Sequence, residues 1–231
     1  MKTDTFTCVR VEGSILPTDL LQRVAAGDSR LDGLRLEDYG LAEFREKVNE
    51  VTNHAWNRLS AAWEAFKTAR GTLSPTDAGH RLTVEKWLLP LWKVLGYGTL
   101  RPVDRPFVID EKTYPVSHTA HHSPFHLVGF RHDLDKRTDT DGKQFSPHGL
   151  VQEFLNRSET HLWGFVSNGL KLRVLRDNIR LTRQAYVEFD LQAMFDGKQY
   201  ADFALLWRLC HESRVTGEKP ERSSDARTRS P

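Results

Sequence analysis

The sequence has few of the features that mark secreted or membrane proteins. It contains two cysteines, Cys8 and Cys210, among 231 residues, which is too few for a disulfide framework or a four-ligand zinc site. The longest apolar run, residues 87–92, is interrupted by Pro90, and the N-terminal residues alternate between polar and apolar types. We therefore expect neither a membrane span nor a secretion signal, and we expect a chain of the reducing cytoplasm.

The sequence also lacks a strong net charge. Its 33 Lys and Arg residues against 31 Asp and Glu residues give a formal net charge of +2, so there is no global field of the kind that histone-like proteins use. A nucleic-acid face would therefore be a local patch. By contrast, 39% of the residues are hydrophobic, which is enough to bury a sizeable core in one compact domain.

The spacing of apolar residues predicts an α/β fold. From Leu41 the apolar positions recur at steps of three and four, which predicts a long N-terminal helix with its N-cap at Asp38 and its end at Gly71. The same spacing predicts a second helix over residues 83–97, bent rather than broken at Pro90. Strands are predicted over residues 7–11, 107–109, 114–118, 125–130, 163–166, 170–174 and 184–191, and further helices over 146–155 and 200–211.

This order of elements predicts one mixed sheet flanked by helices. Residues 1–40 mix Gly, Asp and Arg with short apolar pieces, and we expect a loosely ordered lead-in there. Residues 41–214 are predicted to form the domain. Residues 215–231 have almost no apolar content and are predicted to be a disordered tail.

Several stretches of the second half are recognisable. They are SPHGLVQEFLN at 146–156, HLWGFVSNG at 161–169, LRD at 175–177, LTRQAYVEFDL at 181–191 and ADFALLWRL at 201–209. Together they resemble the N-terminal part of single-chain type IIG restriction-modification enzymes and of their relatives, the adenine-specific DNA methyltransferases of BREX and DISARM phage-defence systems. The resemblance runs from about Leu41 to Arg214. It implies a restriction-endonuclease-like fold, DNA as a partner, and an association with a methyltransferase or another defence subunit.

The chain departs from this family because it carries no methyltransferase motifs. An adenine methyltransferase needs a Gly-rich loop for the methyl donor and an Asn/Asp-Pro-Pro-Tyr/Phe motif that holds the flipped base, and neither occurs in the sequence. We therefore expect a fragment, a shifted reading frame, or one half of a split system. In each case the expected function is to bind DNA or a defence partner, without catalysis by this chain alone.

One segment has the spacing of a nuclease motif. A nuclease of this fold needs an acid on one strand and an Asp/Glu-x-Lys sequence on the next, because two carboxylates hold magnesium and the lysine steadies the attacking water. Asp110 and Lys112 have that spacing, and Glu85 is a further candidate. A polar hairpin turn explains Asp110 and Lys112 as well, and the strands that would carry the catalytic groups have none. We therefore predict a degenerate nuclease site without a cofactor.

Two alternatives remain open. The first is an active magnesium-dependent endonuclease that cleaves foreign DNA through Glu85, Asp110 and Lys112, in which case Asp110→Ala would abolish cleavage. The second is a structural scaffold that docks a separate methyltransferase chain, which predicts co-purification with that partner and no salt-dependent DNA binding.

Basic side chains on and after the predicted hairpin of residues 163–174 are the candidate phosphate contacts. An ordinary solvated strand face is the competing interpretation, and the family resemblance is what favours DNA. The five candidates are Lys171, Arg173, Arg176, Arg180 and Arg183.

Four histidines lie close together at positions 118, 121, 122 and 126. Imidazole is a common ligand of transition metals. No carboxylate or cysteine falls among these histidines, however, and we predict no metal site.

Overall fold

The computed structural model of the chain describes residues 6–13, 15–41, 47–137, 145–177 and 184–215. The strands are β1 (Val9–Glu12), β2 (Arg101–Pro102), β3 (Phe107–Ile109), β4 (Lys112–Tyr114), β5 (His118–Ala120), β6 (Ser123–Leu127), β7 (Trp163–Ser167), β8 (Lys171–Arg176) and β9 (Tyr186–Asp190). The helices are α1 (Thr18–Ala26), α2 (Val48–Gly71), α3 (residues 80–97), α4 (Pro147–Arg157), α5 (Leu191–Asp196) and α6 (Tyr200–Cys210), with short 3-10 turns at Leu36–Tyr39 and Glu212–Arg214.

The predicted mixed sheet is confirmed. Seven strands lie in the order β1-β9-β8-β7-β6-β5-β2, while β3 and β4 form a separate hairpin. Within the main sheet, β6 and β7 run parallel and the other neighbouring pairs run antiparallel. Helix α4 lies between β6 and β7 in the chain, as a parallel connection requires.

The sheet separates two apolar cores. Side chains alternate along each strand, so Phe165 and Val174 enter one core while Val166 and Leu175 enter the other. We call these sides the first face and the second face. The first face is covered by α1, α2, α3, α5 and α6, and the second face is covered by α4 and the β3–β4 hairpin.

Helix α3 continues through Pro90, as predicted. It consists of four successive pieces that alternate α and π geometry: His80–Thr83, Val84–Leu88, Leu89–Trp92 and Lys93–Tyr97. The Leu89 N–H donates to Val84 O, five residues back. This wider turn directly precedes Pro90, which has no N–H with which to continue the α pattern. The helix leaves helical geometry at Gly96, where φ is 96°.

Helix α4 begins where the sequence predicts. Ser146 is its N-cap and accepts the Gly149 N–H at 3.1 Å, and proline stands at the first helical position. The helix lies close against β7 because Gly164 has no side chain. A Cβ at that position would stand 2.8 Å from Val151 Cγ1. This close approach places the first turn of α4 over β8 and β9.

The N-terminal segment differs from the expected loose lead-in. Strand β1 pairs with β9 at the edge of the main sheet, and Leu21 and Val24 of α1 are buried. The Asp202 carboxylate in α6 fixes the segment by accepting the N–H groups of Thr7 at 3.0 Å and Cys8 at 2.6 Å. Such partners are far away in the chain, so the local pattern gave no sign of them.

The long helix α2 begins later than expected. Its N-cap is Lys47, while Asp38 lies within a 3-10 turn and accepts the Arg35 N–H at 2.8 Å. The predicted N-cap at Asp38 is therefore wrong, because its carboxylate caps a shorter local turn. The expected tail falls mostly on residues 216–231, which lie outside the described residues.

The predicted strand over residues 114–118 is also wrong. Tyr114 ends β4, and His118 begins β5. Asp110 and Glu111 form the turn of the β3–β4 hairpin with φ values of 49° and 61°, as a tight hairpin requires. In the described part of the chain, no helix combines the length and apolar character needed to cross a membrane.

Gly169 in the β7–β8 turn offers a test of this packing. Its φ is +79°, and an added Cβ would stand 2.5 Å from Thr83 Cγ2. We expect Gly169→Ala to lower the free energy of unfolding by about 2–3 kcal/mol, because backbone strain and overpacking combine. Urea denaturation measures this change.

Gly40→Ala is the matched control, since Gly40 has a φ of +68° with nothing within 4 Å of an added Cβ; we expect it to cost about 1 kcal/mol. Thr83→Ser removes the clashing methyl group and should partly restore Gly169→Ala. Equal costs for the two glycine substitutions would contradict the packing argument.

Candidate functional site

A buried ion pair joins β8 and β9 on the second face of the sheet. Arg173 and Glu188 face each other across the strands, and Arg173 Nε donates to Glu188 Oε2 at 2.6 Å. Their side chains are 4% and 7% exposed. Both charges are therefore enclosed between the sheet and α4. Arg173 is one of the predicted phosphate contacts, with a solvated strand face as the competing interpretation. The structure agrees with neither, because it buries the guanidinium.

Asp135 supplies a second carboxylate from the loop after β6. Arg173 Nη1 donates to Asp135 Oδ1 at 2.6 Å, and Nη2 donates to Oδ2 at 2.8 Å, which is the bidentate geometry that a guanidinium favours. Burial acts to lower the pKa of Arg173, but its bonds to Asp135 and Glu188 outweigh burial and raise that pKa above its usual value. Arg173 in turn lowers the pKa of Asp135.

His148 closes the cluster from the first turn of α4. Its Nδ1 lies 3.3 Å from Arg173 Nη1, and because a guanidinium only donates, Nδ1 accepts and Nε2 carries the ring proton. Burial, and secondly the charge of Arg173, lower the pKa of His148 to about 4. The ring is therefore neutral at pH 7. Its buried Nε2 has no hydrogen-bond partner among the described residues.

A cavity of about 270 Å³ opens beside this cluster, between residues 131–135 on one side and Asn168, Lys171 and Arg173 on the other. Lys171 Nζ lies 3.1 Å from Glu188 Oε1. The Asn168 side chain ties the two walls together, because its Nδ2 donates to His132 O at 2.8 Å while its Oδ1 accepts the Lys171 N–H at 2.9 Å. The β7–β8 turn, which contains Asn168 and which the sequence predicted, thus forms one wall of the cavity.

The predicted residues Asp110 and Lys112 belong to a second, more exposed network. Lys112 Nζ donates to Glu153 Oε1 at 2.7 Å, and Arg157 pairs with both Glu153 at 3.3 Å and Asp110 at 3.4 Å. The Tyr114 hydroxyl also donates to Glu153 at 3.2 Å. Burial of this hydroxyl and, secondly, the charge of Glu153 raise the pKa of Tyr114 to about 12. These ion pairs hold the hairpin against α4.

Glu85 is not part of either network. It lies on α3, which packs against the first face, and its carboxylate accepts from Arg81 at 3.1 Å. The structure therefore brings Asp110 and Lys112 together and leaves Glu85 apart. A catalytic triad of these three residues finds no geometric support.

The three predicted phosphate contacts that the structure describes, Lys171, Arg173 and Arg176, do not form one patch. Lys171 lies at the rim of the cavity on the second face, whereas Arg176 lies at the other end of β8, where its guanidinium stacks 5.3 Å from the centre of the Trp163 ring. Strand alternation places Lys171 and Arg176 on opposite faces of the sheet. Arg180 and Arg183 lie outside the described residues.

Sequence reasoning missed Asp135, His148 and Glu188. Glu188 did carry a signal, because it interrupts the apolar strand β9 on the face that also carries Tyr186, and an isolated charge inside a buried strand requires a partner. Asp135 gave no comparable signal, since it stands in a polar loop beside Asp133, Lys136 and Arg137, which are exposed as Asp135 itself is. Only the folded chain brings that loop to β8.

Among the described residues, no three His, Cys, Asp or Glu side chains come together as ligands for a metal ion. The histidines at 118 and 121 have other neighbours: His118 Nδ1 lies 2.9 Å from Ser117 Oγ, and His121 Nε2 lies 3.3 Å from Glu212 Oε2. Comparisons with protein families, with curated proteins and with solved structures found no match for the chain.

Removing Arg173 tests the energetic role of the cluster. We expect Arg173→Met to lower the free energy of unfolding by about 3 kcal/mol, because it removes the buried counter-charge of Glu188 and leaves that carboxylate with only the half-exposed Lys171 as a cationic partner. The double variant Arg173→Met/Glu188→Leu should be more stable than the single variant. Arg157→Met, in the exposed network, is the control and should cost about 1 kcal/mol or less. Urea denaturation of a double variant no more stable than Arg173→Met would contradict the ion-pair argument.

The neutral state of His148 predicts a loss of stability in mild acid. As the pH falls below 6.5, the unfolded chain takes up a proton at this residue, while the folded chain does so only near its pKa of about 4. Stability should therefore fall between these values by up to about 1.4 kcal/mol per pH unit for each such histidine. His211, whose burial also lowers its pKa to about 4, contributes a second proton, and His118, whose pKa burial lowers as well, adds to the fall.

His148→Asn retains an acceptor for Arg173 and removes one of these contributions. We expect the slope of unfolding free energy against pH, measured by denaturation from pH 6.5 to 4.5, to be clearly less steep in this variant. An unchanged slope would show that His148 is not held neutral.

Proposed function

We propose that this chain is a DNA-binding module of a restriction-modification or related phage-defence system, with a restriction-endonuclease-like fold and no nuclease activity of its own. It works in the cytoplasm beside a methyltransferase or another defence subunit. The mixed sheet with helices on both faces supports the fold assignment. The two cysteines, which are buried as free thiols, support a reducing compartment.

The observation that carries this proposal is that Arg173 bonds to the carboxylates of both Asp135 and Glu188. Asp135 and Glu188 are the two carboxylates that meet on the second face, and each of their four oxygen atoms already bonds to a cation. Both Asp135 oxygens and Glu188 Oε2 accept from Arg173, and Glu188 Oε1 accepts from Lys171. Magnesium requires such oxygens as ligands, so a buried guanidinium would have to leave first.

The rim of the cavity supports DNA contact. Arg131 and Lys171 line it, and the exposed Lys136 and Arg137 follow in the same loop. Lys171 shares its carboxylate partner with Arg173, and its side chain is 45% exposed, so its ammonium group reaches solvent. Positive side chains on such a rim would bind phosphates irrespective of sequence.

An electrophoretic mobility-shift titration at several salt concentrations tests the proposal, with a parallel plasmid-cleavage assay in magnesium and in manganese. We expect binding that weakens with salt and no metal-dependent cleavage. Lys171→Ala should weaken binding and reduce the slope of log affinity against log salt by about 1. Lys93→Ala, an exposed lysine on α3 at the first face, is the control and should leave the slope unchanged.

Two results would overturn the proposal. Cleavage that requires magnesium and survives repeated purification would establish an active endonuclease. Absence of salt-dependent binding, together with stable co-purification with a methyltransferase chain, would establish a docking scaffold.

A further inference from the structure

Two arginines near the end of α6 have no acidic partner within the described part of the chain, in contrast to Arg173. Arg208 lies in the last turn of α6 and Arg214 in the 3-10 turn that follows, both on the first face of the sheet. Within the described ranges, neither forms an ion pair with a carboxylate. A buried guanidinium without a counter-charge is unfavourable, so this pair needs an explanation.

Arg208 is 5% exposed. Its Nη2 donates to Asn49 Oδ1 at 2.6 Å, and its Nη1 donates to Ala204 O at 3.3 Å. These neutral acceptors do not supply charge, and burial accordingly lowers the pKa of Arg208. In Arg173, by contrast, hydrogen bonds to two carboxylates raise the pKa.

Arg214 stands over Tyr39, with its guanidinium carbon 4.1 Å from the ring centre. Its Nε donates to Arg208 O at 3.1 Å, which fixes the two arginines relative to each other. Its Nη2 and the Tyr39 hydroxyl are both buried and without a hydrogen-bond partner among the described residues. Burial raises the pKa of Tyr39. The charge of Arg214, a polar contact of that guanidinium with the hydroxyl, and the charge of Arg208 oppose this rise, so both arginines act on the hydroxyl.

The loop after α1 lies against these arginines, and neither of its two acids, Asp28 and Asp32, forms an ion pair with them among the described residues. Gly33 has a φ of +82°, and a Cβ there would stand 2.9 Å from Arg214 Nη1, so the absence of a side chain leaves room for the guanidinium. Asp28, in the same loop, is already engaged by Arg23 and Arg30, each at 2.9 Å.

We propose that Arg208, Arg214 and the Tyr39 hydroxyl form a binding site for a phosphate group. The Arg214 guanidinium lies at the Tyr39 ring, and Arg208 supplies a second positive charge that acts on the same hydroxyl. Together they provide positive charge and several donors, which suit an oxyanion with acceptors on more than one side. Arg214 is half-buried and gives the ligand access from solvent. The site lies across the sheet from the Arg173 cluster and does not depend on the proposed function.

The test is isothermal titration of the full chain with inorganic phosphate, with sodium chloride added to equal ionic strength as the reference. We expect saturable phosphate binding. Arg214→Met should weaken it by at least about tenfold, because a charge-assisted contact is lost, and Tyr39→Phe by about three- to tenfold, because one hydroxyl is lost. Tyr39→Phe keeps the ring that Arg214 covers, so it should fold even if other variants do not. Arg105→Met, an exposed arginine in the loop after β2, is the control and should bind as the native chain does.

A second arm distinguishes the source of the phosphate. A short oligonucleotide with a 5′-phosphate is compared with the same oligonucleotide carrying a 5′-hydroxyl, each in the native chain and in Tyr39→Phe. A preference for the phosphorylated end that Tyr39→Phe loses would identify a nucleic-acid terminus, whereas binding of inorganic phosphate alone would identify the free ion; either result supports the site. Phosphate binding no stronger than that of chloride, or an unchanged affinity in both Arg214→Met and Tyr39→Phe, would overturn it.

Discussion

The charge of one buried side chain determines how the second face of the sheet is assembled. Arg173 could not be enclosed by α4 unless carboxylates came with it, and it receives them from β9 and from the loop after β6. That loop is also tied to the β7–β8 turn through Asn168. The position of the loop is therefore a consequence of placing a guanidinium here, and the same charge adds to burial in keeping His148 neutral.

The buried arginines on the two faces of the sheet have different partners. On the second face, positive and negative charges balance within the cluster, so its carboxylates are closed to a further cation. On the first face, Arg208 has only neutral acceptors, and its charge is balanced by nothing in the described chain. Arg173 thus belongs to a cluster whose charges are already neutralised, whereas Arg208 lies at a site where a bound anion would neutralise its charge.

Regular spacing predicted the elements well, and it could not predict the pairings between distant charges. The period of α3 and α6 and the Asn168-Gly169 turn follow from local sequence, and the structure agrees with them. Asp110 and Lys112 drew attention because their spacing matches a known chemistry, yet the same spacing serves a hairpin turn. The Asp135 partner of Arg173 depends on a contact across 38 residues, and no local pattern records such a contact.

The position of β1 has a consequence for synthesis of the chain. Thr7 is held by the Asp202 carboxylate, 195 residues later, and β1 adds to the sheet only beside β9. At typical elongation rates, the ribosome needs roughly 10–40 s to synthesise that intervening chain. During this time the apolar side chains of β1 and α1 have no native surface to cover, so a nascent chain depends on chaperones or on transient local contacts. Folding of this sheet is in this sense largely post-translational.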